Sequence, residues 1–306
     1  MINKFPFRNL VFKGGGMKAL AYHGALRVLE EERILPQVER VAGTSAGALL
    51  ATMLSMRLTS DEIVEKYQEI DYTRIAAVRS DFITESCDHP QKFYSRELTR
   101  IVDNVDAVYR FVQRYGWYEN DLAHEWIQSV VADHCAGDGR ATFADFKSFG
   151  FCDLYIVTTN LSKHCIQIFS TRATPDVPVA DAVLMSSSLP FYFESVQYNG
   201  REFGSGDYYA DGGLLYNYPI QVFDSPEFKH ESRHFVHGVN WETLGFRLFT
   251  PVDLKDHHRK ITSLVSYVES VLETIIELQD TLVMQSAIDR MRTISISNCG
   301  VSTTDL

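Results

Sequence analysis

A serine between glycines, Gly43-Thr44-Ser45-Ala46-Gly47, follows a short strand-like stretch at Val38–Val41 and precedes the small apolar run Ala48-Leu49-Leu50-Ala51. A serine on such a strand-to-helix turn exposes its hydroxyl, and only small neighbours let the chain bend that tightly. Upstream, Leu10-Val11-Phe12 runs into Gly14-Gly15-Gly16, and a helix-length segment leaves from Met17 to about Arg33. Glycines there free backbone N–H groups at a helix N-terminus, where a developing negative charge is stabilised. Downstream, Tyr208-Tyr209-Ala210-Asp211 is a short aromatic strand ending on a carboxylate, and Gly212-Gly213 permits an abrupt change of direction. A nucleophile and an anion cradle, both made by strand-to-helix turns, suggest acyl transfer.

Each segment alone has a plainer explanation. Gly-x-Ser-x-Gly also occurs in ordinary tight loops, and Asp-Gly is most often a simple turn. Gly14-x-Gly16-x-x-Ala19 fits a relaxed dinucleotide fingerprint, but that motif expects an acidic residue at the end of the next strand. Gly43-Thr44-Ser45 stands there instead, and no Gly-Lys-Ser/Thr follows to make a phosphate loop. His230-Glu231-Ser232-Arg233-His234 satisfies H-E-x-x-H, which on a helix would aim two histidines at zinc. Its context is poor: Asp224-Ser225-Pro226 breaks the chain upstream and Gly238 follows closely, so a solvated charged loop is expected.

The three segments together resemble the patatin-like phospholipase family, whose pattern is G-G-G-x-[K/R]-G, then G-x-S-x-G, then D-G-G with Asn and Pro following. Asn217 and Pro219 match that tail, Lys18 matches the basic position, and Ala182–Phe193 is similar to the family's small-residue helix leading to L-P-x-x-F. Gly116–Phe146 resembles the family's helical segment before the core resumes, and Gly300–Asp305 the end of its bacterial effector branch, the ExoU/VipD type. The family's glycine after the basic residue is Ala19 here, which suits a first helical turn better than glycine does.

The resemblance implies a three-layer α/β fold with a mixed, mostly parallel sheet. It implies a Ser–Asp dyad without histidine, Ser45 as nucleophile and Asp211 as general base. The Gly14, Gly15 and Gly16 backbone N–H groups would form the oxyanion hole, and Lys18 would sit near the lipid phosphate or tether the glycine loop. The implied activity is phospholipase A or lysophospholipase, with no cofactor and no metal. Its substrates are phospholipids or lysophospholipids met through peripheral membrane contact, and effector-branch members often need a protein activator. Two rivals are a Ser-His-Asp esterase, with His230, His234, His237, His257 and His258 all following Asp211, and a catalytically silent interaction module on the same scaffold.

The elements that must position these residues follow from patterning. At 306 residues and 45% hydrophobic content the chain can bury a large core, expected as one domain over 1–306 with a helical cap inserted at about 60–140. Ser95–Val112 and Asp121–Cys135 are amphipathic within it. Strands are expected at Leu154–Thr158 and Cys165–Phe169, antiparallel around the Asn160–Lys163 turn. Val196–Tyr198 and Tyr208–Ala210 form a further hairpin, and Leu244–Phe249 and Thr293–Ser297 are single strands. One long helix is expected from about Arg259 to Arg292, with its apolar stripe used in packing. The net charge of −11 disfavours a nucleic-acid partner. The only N-terminal apolar stretch is interrupted by Pro6 and Arg8, which argues against a signal peptide. The uncharged run Val41–Met56 is below spanning length. Five scattered cysteines give neither a disulfide framework nor metal spacing. A cytoplasmic or peripheral-membrane location is expected, with export by a signal-free route still compatible.

Overall fold

A computed structural model describes residues 4–70, 114–118, 120–251, 261 and 264–298. Its first part runs β1 (Asn9–Phe12), α1 (Tyr22–Glu31), β2 (Arg40–Thr44), α2 (Ala46–Ser55) and α3 (Ser60–Gln68). The second part holds β3 (Gly116–Tyr118), α4 (Asp121–His134), α5 (Phe143–Ser148), β4 (Asp153–Asn160), β5 (Cys165–Ser170) and α6 (Val179–Ser187). It continues through β6 (Phe191–Phe193), β7 (Val196–Tyr198), β8 (Asp207–Asp211) and the single turn α7 (Gly213–Tyr216). The last part comprises β9 (Phe235–Val236), β10 (Val239–Asn240), β11 (Thr243–Phe249), α8 (Leu264–Gln285), α9 (Ala287–Met291) and β12 (Thr293–Ser297).

An eight-stranded sheet organises the chain. β12, β11, β1, β2 and β4 lie side by side and parallel, whereas β5 and β8 pair antiparallel with β4, and β7 with β8. The sheet is therefore mixed and mostly parallel. The two-residue side-chain period of a strand sends alternate residues to opposite faces. Leu10, Phe12, Val41, Leu154 and Ile156 enter the larger core with α1, α2 and α6. Val11, Ala42 and Tyr155 enter a smaller core on the other face with Tyr218, Ile220, Phe223 and Phe228, against which Val283 and Met284 of α8 pack. Sheet faces covered on both sides make three layers, and they explain why these strands carry few polar residues.

The chain departs from its sequence pattern in three places. β2 starts at Arg40, not Val38, because Val38 closes a 3₁₀ turn over Leu35–Gln37. The helix after the glycines begins as a 3₁₀ turn, Gly16–Ala21, and becomes α-helical only at Tyr22. The long helix expected to reach Arg292 breaks at Ser286, whose side chain accepts a hydrogen bond from the Asp289 N–H at 3.1 Å and so starts a new helix. Within residues 60–140, expected as a helical insertion, α3 and α4 are helices and β3 is a strand paired with β6; Ser95–Val112, the Arg259 end of the long helix and the Gly300–Asp305 tail lie outside the described residues. Among the described residues no helix is long and apolar enough to cross a membrane.

Candidate active site

Strand register brings Ser45 and Asp211 together. β4 gives one edge to β5 and the other first to β2 and then to β8: Thr44 lies opposite Val157, and Asp211 opposite the next residue, Thr158. β2 runs parallel to β4 and β8 antiparallel, so their C-terminal ends meet head to head against the same edge. Residues far apart in the chain thereby share one level of the sheet, with Ser45 Oγ 2.6 Å from Asp211 Oδ2.

The serine sits in a left-handed conformation, φ 56° and ψ −129°, which costs a non-glycine residue on the order of 1–3 kcal/mol. Neighbouring contacts hold it there. Its N–H donates to Ser186 Oγ at 2.8 Å, and Ser186 Oγ in turn donates to the Val157 carbonyl at 2.7 Å. Gly43 and Gly47 supply clearance, because a Cβ at Gly47 would stand 2.5 Å from the Phe12 carbonyl oxygen. Ser45 is half-buried, not sealed in the core. Ser186 is fully buried and was not singled out by sequence; three consecutive serines, Ser186–Ser188, in an otherwise apolar helix were the available signal. Replacing Ser186 with Ala removes the partner of the part-buried Ser45 N–H. We expect a stability loss of about 1–3 kcal/mol by denaturant titration.

Asp211 is 5% exposed. Its Oδ1 accepts the Gly213 N–H at 2.6 Å, and its own backbone is fixed by its N–H to Ser188 O and by Thr159 Oγ1 on its carbonyl. Burial pushes the carboxyl up to about 6, against the opposing pull of the Ser45 hydroxyl and the Gly213 N–H. A carboxylate raised that far accepts a proton near neutral pH far better than an exposed aspartate does.

The glycine loop stands beside this pair. Gly16 has φ 55°, which glycine adopts without strain. The Gly15 and Gly16 N–H groups have no partner among the described residues, nor does the Ala46 N–H that opens α2. Gly14 differs from expectation. Its N–H already donates to the Asn217 carbonyl at 3.1 Å. A Cβ there would meet Asn217 Oδ1 at 2.4 Å and the Thr44 carbonyl oxygen at 3.0 Å, so this glycine lets three segments converge. Ala19 falls within the 3₁₀ turn and is buried, in keeping with the preference of a helical turn for alanine. Lys18 is half-buried on that turn, and its N–H closes onto Gly15 O at 3.2 Å. The preceding Lys13, which sequence did not flag, is buried and paired with Asp280 of α8. Burial lowers its pKa below the lysine range, a shift that Asp280 partly opposes.

The described histidines make no contact with this pair. The 230–234 segment is turn, not helix; Glu231 pairs with Arg40 and Arg172, whose guanidinium groups lie 5.3 and 5.1 Å from the Phe228 ring centre. His234 Nδ1 is 3.4 Å from Glu242 Oε1. Among the described residues, no histidine bonds to Ser45 or Asp211; His257 and His258 are outside them.

A patatin-like phospholipase family model matches residues 10–224, and the chain belongs to that family. Among curated proteins it is 30% identical over 224 residues to protein R571 of Acanthamoeba polyphaga mimivirus, covering 73% of this chain and 63% of that one. It is 23% identical over 218 residues to the probable lipid hydrolase 463L of Invertebrate iridescent virus 6, covering 71% and 63% respectively. The chain thus spans less than two thirds of the length of either relative. Among solved structures, VipD from Legionella pneumophila superposes with a TM-score of 0.56 over 98% of this chain and 63% of its own, at 20% identity, which establishes the shared fold.

Proposed function

We propose that this chain is a serine acyl hydrolase of phospholipids or lysophospholipids that works through a Ser45–Asp211 dyad and an acyl-enzyme. The observation that carries the reading is the 2.6 Å contact between the hydroxyl of a half-buried serine and a buried carboxylate, beside unspent backbone donors. Ser45 Oγ attacks the ester carbonyl while its proton passes to Asp211 Oδ2. The oxyanion is received by the Gly15 and Gly16 N–H groups, with Gly14 acting as the support that fixes their loop. Losing one such donor typically costs about 3 kcal/mol of transition-state stabilisation. Asp211 returns the proton to the departing alcohol, then takes one from water as the water attacks the acyl-enzyme, and passes it to Ser45 Oγ as the Oγ–acyl bond breaks and the fatty acid leaves. Family membership supports a lipid substrate. Lys18 supplies positive charge near the lipid phosphate. Contact with the membrane is peripheral, and a protein activator raises the basal rate.

A fluorophosphonate probe tests the nucleophile. We expect one adduct on Ser45 by peptide mass spectrometry and none in Ser45→Ala; labelling that survives this substitution would place the nucleophile elsewhere. Digestion of mixed phospholipid vesicles, with and without eukaryotic cell extract, reads both substrate class and activator dependence. Equal rates in the two arms would count against an activator.

A further inference from the structure

Helix α8 lies beyond the stretch that the family model matches, yet two consecutive residues on it grip opposite halves of the site. The Gln279 side-chain amide uses both its ends. Its Nε2 donates to Gly213 O at 2.9 Å and to Leu214 O at 3.0 Å, and its Oε1 accepts the Asn217 N–H at 2.9 Å. Gly213 is the residue whose N–H holds Asp211 Oδ1, so a single glycine separates this clamp from the carboxylate. Asn217 is the residue whose carbonyl holds the Gly14 N–H. Asp280 reaches the other side, pairing with Lys13 directly before the glycine loop and lying 3.6 Å from Arg247 Nε. Lys13 Nζ also donates to Leu248 O at 3.3 Å on the neighbouring strand.

The helix itself is well anchored. Val283 and Met284 pack against the smaller core. Beyond the break at Ser286, the buried Arg292 guanidinium bridges Asp224 at 2.7 Å and Asp289 at 2.6 Å. A rigid helix fixed at its far end and bonded to both the Asp211 turn and the glycine loop sets the distance between them.

We propose that Gln279 and Asp280 are positioning residues for the acyl-transfer reaction, which hold the general base and the oxyanion loop in mutual register. The inference rests on the hydrolase reading above. Misplacement of reacting groups by about 1 Å can cost about 10²-fold in rate without any loss of a contacting residue. Neither side chain touches the reacting atoms, so their effect belongs in turnover rather than in affinity.

The test uses the whole chain, p-nitrophenyl butyrate as substrate and fluorophosphonate titration to count competent sites. Gln279→Met removes three hydrogen bonds while keeping length and volume; Asp280→Asn removes the ion pair, and Asp280→Glu keeps it. We expect kcat per titrated site to fall about tenfold or more in the first two, KM to change less than about twofold, and Asp280→Glu to retain most turnover. A merely structural role would lower the melting temperature and the number of competent sites, and leave turnover per site at the wild-type value. That result would overturn the proposal. If Gln279→Met gives no cooperative melt, Gln279→Glu, which keeps the Asn217 contact, is read by the same criteria. A wild-type chain that takes no label at Ser45 would overturn the underlying hydrolase reading instead.

Discussion

Asp211→Asn is expected to lower kcat by about 10³-fold or more while leaving the protein folded and more stable at neutral pH. The catalytic half follows from chemistry: an amide cannot accept the Ser45 proton, and general-base catalysis contributes about 10²–10⁴-fold. The stability half follows from burial. The folded-state pKa of about 6 stands above the ordinary value of 3.8, so the folded protein holds this proton more tightly than the unfolded chain does. Stability from this group is complete below about pH 4 and is lost as pH rises through 6. Two pKa units correspond to roughly 3 kcal/mol, an order-of-magnitude figure. The Asn side chain titrates nowhere in that window. Its melting temperature should therefore exceed wild type at pH 8, and the gap should narrow as pH falls toward 5. In the wild-type chain, kcat/KM should rise tenfold per pH unit below about 6 and level off above it. Near-normal turnover in Asp211→Asn, or a flat profile between pH 5 and 7, would move the base to another residue.

Much of this site is readable from residue type because its chemistry demands unusual backbone. Gly43 and Gly47 announce the turn around Ser45, Gly14–Gly16 the loop, and Gly212-Gly213 the reversal after Asp211. Strand patterning carries equal weight in the core, where Val11, Ala42 and Tyr155 alternate faces with their neighbours. Long-range pairing is what local pattern does not encode. That β2 and β8 end against the same edge of β4 depends on two registers, one joining Thr44 to Val157 and one joining Thr158 to Asp211, neither of which adjacent residues specify. The capture of the Gly14 N–H by Asn217 is of the same kind. Gln279 and Asp280 look like the solvated face of an amphipathic helix, and only the packing of α8 turns that face inward. The break at Ser286 was missed, although Ser286-Ala287-Ile288-Asp289 carries the spacing of a helix start.

The dependence of the strand-to-helix turn around Ser45 on missing side chains leads to the other large effect, a matched pair of glycine substitutions with opposite signs. Gly24→Ala is expected to raise stability by about 0.5–1 kcal/mol, because this glycine lies inside α1, where a Cβ meets nothing within 4 Å. Gly43→Ala is expected to lower it by more than about 4 kcal/mol, a size reserved for severe steric or polar conflicts. A Cβ at Gly43 would lie 2.0 Å from the Gly47 carbonyl oxygen and 2.6 Å from the Ala48 nitrogen, all backbone of the first turn of α2. No rotamer change relieves such a clash; β2 and α2 must separate. Their contact is what presents Ser45, so the loss should appear twice, as a drop of about 10 °C in melting temperature and as failure of the remaining folded protein to take a fluorophosphonate label. The Gly24 variant should label at the wild-type rate. A Gly43→Ala protein that melts and labels normally would mean that β2 and α2 do not approach as closely as described, and the head-to-head placement of Ser45 and Asp211 would go with it.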